Sequence, residues 1–272
     1  MKIIHTISEM QIFAQNSHRT GLTIAAVPTM GFLHSGHISL IERANSEADL
    51  TIVSVFVNPT QFGPNEDLDR YPRDFKRDCE ICEQHNVAVL FAPENTAMYS
   101  SDHSTWVTEE DLSRPLCGNS RPGHFRGVTT VVAKLFNAIL PDVAVFGQKD
   151  AQQALVIRRM VRDLNFPVRI IIAPLIREDD GLAMSSRNRF LSADERSRAL
   201  VISQTLLSLT PENLDAEVIK SKISSAGGTV DYVEILDAET LRLVHLETVE
   251  ILVAVAAFFG KTRLIDNVIL KP

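Results

Sequence analysis

The sequence predicts an α/β protein: a Rossmann-like, doubly wound parallel sheet followed by a smaller α+β C-terminal domain. Three observations carry that expectation. Short, β-rich apolar runs recur through the first two-thirds of the 272 residues, amphipathic stretches separate them, and the pattern changes after about residue 175. Strands alternating with helices in this way fold as parallel sheets covered on both faces.

The strand-like runs are 22–27 (LTIAAV), 50–57 (LTIVSVFV), 87–92 (VAVLFA), 142–147 (DVAVFG) and 168–173 (VRIIIA). They are short and largely apolar, as buried parallel strands are. After the first of them, HISLIERANSEA sets Ile38, Ile41, Ala44 and Ala48 on one helical stripe, and TTVVAKLFNAIL behaves similarly. FKRDCEICEQHN also reads as a helix. Further on, SADERSRALVISQTLLSL is a helix with Ser192 as its N-cap and acids in its first turn. TPENLDAEVIKSKISSAGG holds a second short helix, and VDYVEILD, EILVAVAAFF and RLIDNVIL supply three strands. The expected division is 1–175 and 176–272, the second part being of ordinary domain size.

Composition narrows the function classes. An apolar fraction of 45% and a charged fraction of 22% are those of a soluble globular protein. A net charge of −7 argues against coating nucleic acid, which needs a broad basic surface. The longest apolar run, 251–259, falls well short of the roughly 18 residues that span a bilayer. MKIIHTISEM turns polar too soon for a secretory signal, so the cytoplasm is the expected compartment. Of three cysteines, Cys79 and Cys82 form a C-x-x-C with no second pair to complete a zinc site, and a structural role is expected for them.

Four stretches carry the chemistry. VPTMGFLHSGHISLI leaves a strand near Val27, turns, and starts a helix near Gly36. A helix N-terminus presents free N–H groups and partial positive charge to phosphate, and His34 and His37 can donate to phosphoryl oxygens as negative charge builds there. Gly31 and Gly36 let the backbone approach a nucleotide. Phosphate work fits this stretch best. A metal pair at i, i+3 would lack a third ligand, and a purely structural role is the remaining reading.

At the next strand end, Asn58 and Gln61 are neutral amides suited to a substrate with hydroxyl and carboxylate groups, although Asn-Pro and Gly-Pro also mark a plain turn. The charges from Asp67 to Asp74 read as a solvated, paired surface. After the fourth strand, Lys149 in FGQKDAQQ is a point charge for a phosphate, and Gln153 is expected to share a helical face with it. In LAMSSRNRFLS, Ser185, Ser186 and Arg187 can wrap a leaving pyrophosphate. There is no nucleophile with its base and no G-x-G-x-x-G fingerprint, and phosphoanhydride chemistry needs neither.

The blocks PTMGFLHSGHISLI, FVNPTQFGPNEDLDRYPRD, RPGHFRGVTTVVAKLFN, GQKDAQQ and LAMSSRNRFLS, with YVEILDAETL and RLIDNVIL more weakly, resemble the pantoate–β-alanine ligase family of the HIGH-motif nucleotidyltransferase superfamily. HSGH alone carries only the superfamily. The NPTQFG and MSSRN blocks carry the family.

The resemblance implies a nucleotide- and pantoate-binding N-terminal domain, a C-terminal lid and a homodimer. It implies an ATP-dependent, AMP-forming ligation with Mg2+ accompanying ATP. In it the carboxylate of (R)-pantoate attacks the α-phosphorus, and β-alanine then displaces AMP from pantoyl adenylate to give pantothenate, a coenzyme A precursor. It implies His37 as the catalytic proton donor and a nucleotide lining drawn from Met30, Gly31, His34, Gly36 and His37. Gly147, Gln148, Lys149, Asp150, Ile176, Met184, Ser185, Ser186 and Arg187 would contact the nucleotide as well. Gln61 and Gln153 would hold pantoate, with Gln61 also beside β-alanine.

The sequence departs from the family at Ala151, where an aromatic is usual, and in the bulkier AVAAFFGKTRLID. RPGHFRGV reads equally as a mobile wall over the pantoate site or as a connecting turn. Metal ligands are not legible. Two rival readings are simple nucleotidyl transfer and nucleotide binding without turnover.

Overall fold

The computed structural model describes residues 1–64 and 66–272; Asn65, inside the NPTQFG block's continuation, lies outside the described residues. The chain forms two compact units, Met1–Gly147 with Gln152–Ala173, and Gln148–Ala151 with Pro174–Pro272. Gln148–Ala151, expected within 1–175, thus group with the second unit.

The first unit runs β1 (Lys2–Ile4), α1 (Ile7–Arg19), β2 (Ile24–Thr29), α2 (Ser35–Asn45), β3 (Leu50–Val55), α3 (Phe75–Gln84), β4 (Val89–Phe91), α4 (Asn95–Met98), α5 (Cys117–Ser120), α6 (His124–Ile139), β5 (Val143–Gly147), α7 (Ala151–Asp163) and β6 (Arg169–Ala173). Its six strands lie in the order β1-β4-β3-β2-β5-β6, and every pairing is parallel. β3 and β4 extend the sheet to one side of β2 while β5 and β6 extend it to the other. The carboxyl end of β2 is therefore the switch point, where ligands of such sheets gather. The HSGH turn leaves from there.

The five strands read from apolar runs are present. β1 escaped that reading because a three-residue strand has no period to show; it is held by pairing Lys2–Ile4 with Val89–Phe91. On α2 the buried positions are Leu40, Ile41 and Ala44. Ile38 is only half-buried, and Ala48 packs on the core from beyond the helix end. With them lie Val27, Leu33, Val53, Leu90 and Val145, which anchor the strand ends that carry the site. Cys82 is buried in this core, and burial pushes its thiol up to about 12, so it is inert as a nucleophile.

The second unit contains α8 (Ala193–Leu207), α9 (Ala216–Ser225) and an antiparallel sheet of β7 (Thr229–Asp237), β8 (Ile251–Phe259) and β9 (Thr262–Leu270). Ser192 caps α8 reciprocally: its Oγ accepts the Glu195 N–H at 3.2 Å, and Glu195 Oε2 accepts the Ser192 N–H at 2.8 Å. Ile202, Leu206, Ile219 and Ile223 from the helices pack on Val253, Val255 and Phe259 of the sheet.

Candidate active site

In the first unit the site begins where β2 ends. Gly31 and Phe32 both take left-handed backbone, with φ of 81° and 52°. The N–H groups of Phe32 and Leu33 donate to the two oxygens of Asp78 at 2.9 and 2.7 Å. A Cβ on Gly31 would lie 2.8 Å from Val55 Cγ1 and 2.9 Å from Asp78 Oδ2. Gly31 is thus required by the protein's own packing as well as by its backbone angle. Asp78 is buried, and burial pushes its carboxyl above the ordinary range despite those two N–H donors, which pull it down.

This turn delivers His34 to the N-cap of α2 in extended conformation. The backbone N–H of His34 donates to Nδ1 of His37 at 3.3 Å, and the two rings lie 4.0 Å apart. An Nδ1 that accepts leaves the proton of a neutral imidazole on Nε2. His37 is therefore set as an Nε2–H donor in the first turn of α2, where the helix dipole also favours a negative ligand.

Beyond β3, Pro59–Gln61 form a 3-10 turn capped by Asn58. The Asn58 amide is almost wholly buried and fully engaged. Its Nδ2 donates to Gln61 Oε1 and to Gly127 O, both at 3.1 Å, and its Oδ1 accepts from Thr60 N and Oγ at 3.3 and 2.9 Å. The expectation that Asn58 offers its amide to substrate does not match this geometry, because every donor and acceptor already has a partner. Asn58 instead orients Gln61. With Oε1 taken, Gln61 presents Nε2, which lies 3.1 Å from Met30 Sδ, a weak acceptor that a substrate oxygen can displace. Gly127 permits this approach, since a Cβ there would sit 2.4 Å from Thr60 O.

RPGHFRGV is more than a plain connecting turn. It opens α6, with Gly123 as a left-handed N-cap, and it ties down the Gln61 backbone. His124 Nδ1 donates to Gln61 O at 2.9 Å, and His124 Nε2 accepts from Arg121 Nη1 at 3.0 Å. Arg121 also grips Glu66 through two bonds of 2.7 and 2.6 Å. Burial alone would raise the Glu66 carboxyl, but the bonds and charge of Arg121 outweigh it and hold Glu66 below the usual range. Glu66, Arg121, His124 and Asp78 were not read as site residues. Only the glycine-flanked RPGH offered a signal, because the partners lie up to 63 positions apart.

The segment Asp67–Asp74, expected as a solvated surface, is partly a capping structure: Asp74 caps α3 through the Arg77 N–H, and Arg73 donates to the carbonyls of Tyr71 and Leu68. On α7, Gln153 is half-buried beside Gln152, whose buried amide clamps the carbonyls of Leu112 and Pro115 and the N–H of Cys117 at the start of α5.

The second unit holds the remaining candidates. Gln148–Asp150 form a 3-10 turn, and Lys149 Nζ pairs with Asp150 Oδ2 at 3.2 Å. That turn is followed directly by α7 at Ala151, so Lys149 lies ahead of the α-helix that carries Gln153. Ile176 and Met184 are brought opposite each other by a hairpin in which Met184 N donates to Ile176 O at 3.0 Å. Ser185 then caps the 3-10 turn Ser186–Phe190, its Oγ accepting the Arg187 N–H at 3.2 Å. That leaves the Ser185 O–H proton for an anionic oxygen. Among the described residues, no three His, Cys, Asp or Glu side chains gather into a set that could hold a metal ion.

The chain is similar to known proteins in sequence and in fold. The family model described as pantoate–β-alanine ligase matches residues 2–269. The chain is 53% identical to pantothenate synthetase of Thermotoga neapolitana, covering 99% of this chain and all of that one. It is 49% identical to the enzyme of the same name from Acetivibrio thermocellus, over the full length of both. Among solved structures, pantothenate synthetase from Thermus thermophilus superposes with a TM-score of 0.90 at 41% identity, covering 98% of this chain and 99% of that one. Pantoate–β-alanine ligase from Francisella tularensis, complexed with β,γ-ATP and β-alanine, gives 0.86 at 37% identity, covering 98% and 97%.

Proposed function

The chain belongs to the pantoate–β-alanine ligase family, and from that premise we propose how its residues perform the ATP-dependent joining of pantoate to β-alanine that yields pantothenate. The reaction has two displacements. A carboxylate oxygen of pantoate attacks the α-phosphorus of ATP and pyrophosphate departs. The amine of β-alanine, after losing a proton, then attacks the acyl carbon, and AMP departs with the oxygen it gained.

In the first displacement, negative charge grows on the oxygens around the α-phosphorus. His37, fixed as an Nε2–H donor, meets that charge from the N-terminus of α2, with the ring of His34 tilted against it. Lys149 is a cationic contact beside that neutral donor, held by Asp150 until a phosphate replaces that carboxylate as its partner. Ser185, Ser186 and Arg187 serve the departing pyrophosphate. Gln61 presents Nε2 to the carboxylate or hydroxyls of pantoate, while Asn58 acts by orienting Gln61, and Gln153 is a further pantoate contact. The observation that carries this reading is the contact of Gln61 Nε2 with Met30 Sδ, because it joins a pantoate candidate to a nucleotide candidate within one unit.

We infer that Mg2+ accompanies ATP as part of the nucleotide substrate, where it would offset phosphate charge. A cytoplasmic homodimer is the state proposed for the working enzyme. Among the described residues no helix is long and apolar enough to cross a membrane, and light scattering tests the dimer.

The experiment that tests the two-displacement reading is isotope exchange. With ATP and pantoate but no β-alanine, labelled pyrophosphate should enter ATP. Exchange that strictly requires β-alanine would overturn a separate adenylation step.

A further inference from the structure

Asparagine is disfavoured inside strands, and a buried amide is costly unless its groups are bonded. Asn267 sits within β9 among Ile265, Val268, Ile269 and Leu270, and it is 3% exposed. Its side-chain hydrogen bonds leave the sheet altogether. Nδ2 donates to the carbonyls of Gln148 and Lys149 at 2.9 and 3.1 Å, and Oδ1 accepts from Gln148 Nε2 at 3.2 Å. Two carbonyls facing one end of the amide identify that end as the NH2 group. The Asn267 backbone is fixed in turn by Asp266, whose Oδ1 accepts the Asn267 N–H at 2.7 Å while Arg177 grips both carboxylate oxygens at 2.7 and 3.0 Å.

We propose that Asn267 is a positioning residue for Lys149: its amide holds the carbonyls of the Gln148–Lys149 turn and thereby fixes the root from which the lysine reaches phosphate. A flexible four-carbon stem places its ammonium only as well as its backbone is placed, and errors of about 1 Å in such a group cost on the order of a hundredfold in rate. Asn267 touches no reacting atom in this account. The proposal rests on the reading of Lys149 as a phosphate contact.

The test uses the full-length enzyme and pyrophosphate–ATP exchange with pantoate. Lys149→Ala should lower exchange about a hundredfold or more. Asn267→Ala, and the near-isosteric Asn267→Asp, which turns the donor end into an acceptor facing two carbonyls, should each lower it about tenfold to a hundredfold, with the pantoate KM within about twofold of the parent. The deciding variant combines Asn267→Ala with Lys149→Ala. If Asn267 acts through Lys149, the double variant is no slower than Lys149→Ala alone. Multiplying losses, a matching rise in the pantoate KM, or failure of both Asn267 variants to fold would overturn the proposal and make the amide a general brace. Wild-type exchange in Lys149→Ala would instead overturn the reading of Lys149 itself.

Discussion

The backbone N–H of His34 and the Nδ1 of His37 are joined across the first turn of α2 at 3.3 Å, and this one bond sets which nitrogen of His37 faces outward with a proton. His37→Ala removes that donor while leaving the His34 N–H at a helix end that water can serve. Adenylation, read by pyrophosphate exchange, should fall about a hundredfold or more, with little change in melting temperature. Near-normal exchange would show that His37 is not the donor.

Asn58 and Gln61 form a second such pair, in which one amide selects the rotamer of the other. Asn58→Ala frees Gln61 to turn and removes the side-chain donor to Gly127 O. The loss should be ~1–3 kcal/mol, read as a pantoate KM raised about tenfold to a hundredfold while the ATP KM barely moves. Because Asn58 works through Gln61, adding Asn58→Ala to Gln61→Ala should add little. An Asn58 effect undiminished in that background would return Asn58 to direct contact with substrate.

Two carboxylates of the first unit should bend the stability–pH curve in opposite directions. Glu66 is held below its ordinary 4.5, so its contribution is present above that pH and is lost as pH falls through the lowered folded value. Asp78 is raised above its ordinary 3.8, so the fold favours its neutral form and its contribution declines as pH rises from 3.8 through the raised value. Urea unfolding from about pH 3.5 to 7 should therefore show a shallower acid loss in Glu66→Gln than in the parent, and a steeper one in Asp78→Asn. The reverse ranking would contradict the assigned environments.

What could be read in the sequence was local. The Gly-rich HSGH turn, the amides after β3 and the Ser-Ser-Arg run announce themselves through residue type and neighbours, and buried strands announce themselves through composition. What could not be read is the support behind them. Asp78 lies in a helix that shows only an amphipathic pattern, yet it fixes the turn before His34 from 45 positions away. Asn267 reaches Lys149 across 118 positions. Asn58 was legible as a polar residue at a strand end, but only the fold shows its amide already engaged and turned toward Gln61. Periodicity reports which face is buried, and it carries no information about hydrogen bonds between distant segments.

The central claim is that the acyl group travels as an adenylate, and one measurement tests it directly. Pantoate labelled with oxygen-18 in its carboxylate is converted with ATP and β-alanine, and the AMP is examined by mass spectrometry. Attack of the carboxylate on the α-phosphorus leaves a carboxylate oxygen on phosphorus when the amine displaces AMP. The account therefore predicts AMP carrying one oxygen-18 for each fully labelled pantoate consumed. AMP free of label, with pantothenate formed, would contradict it.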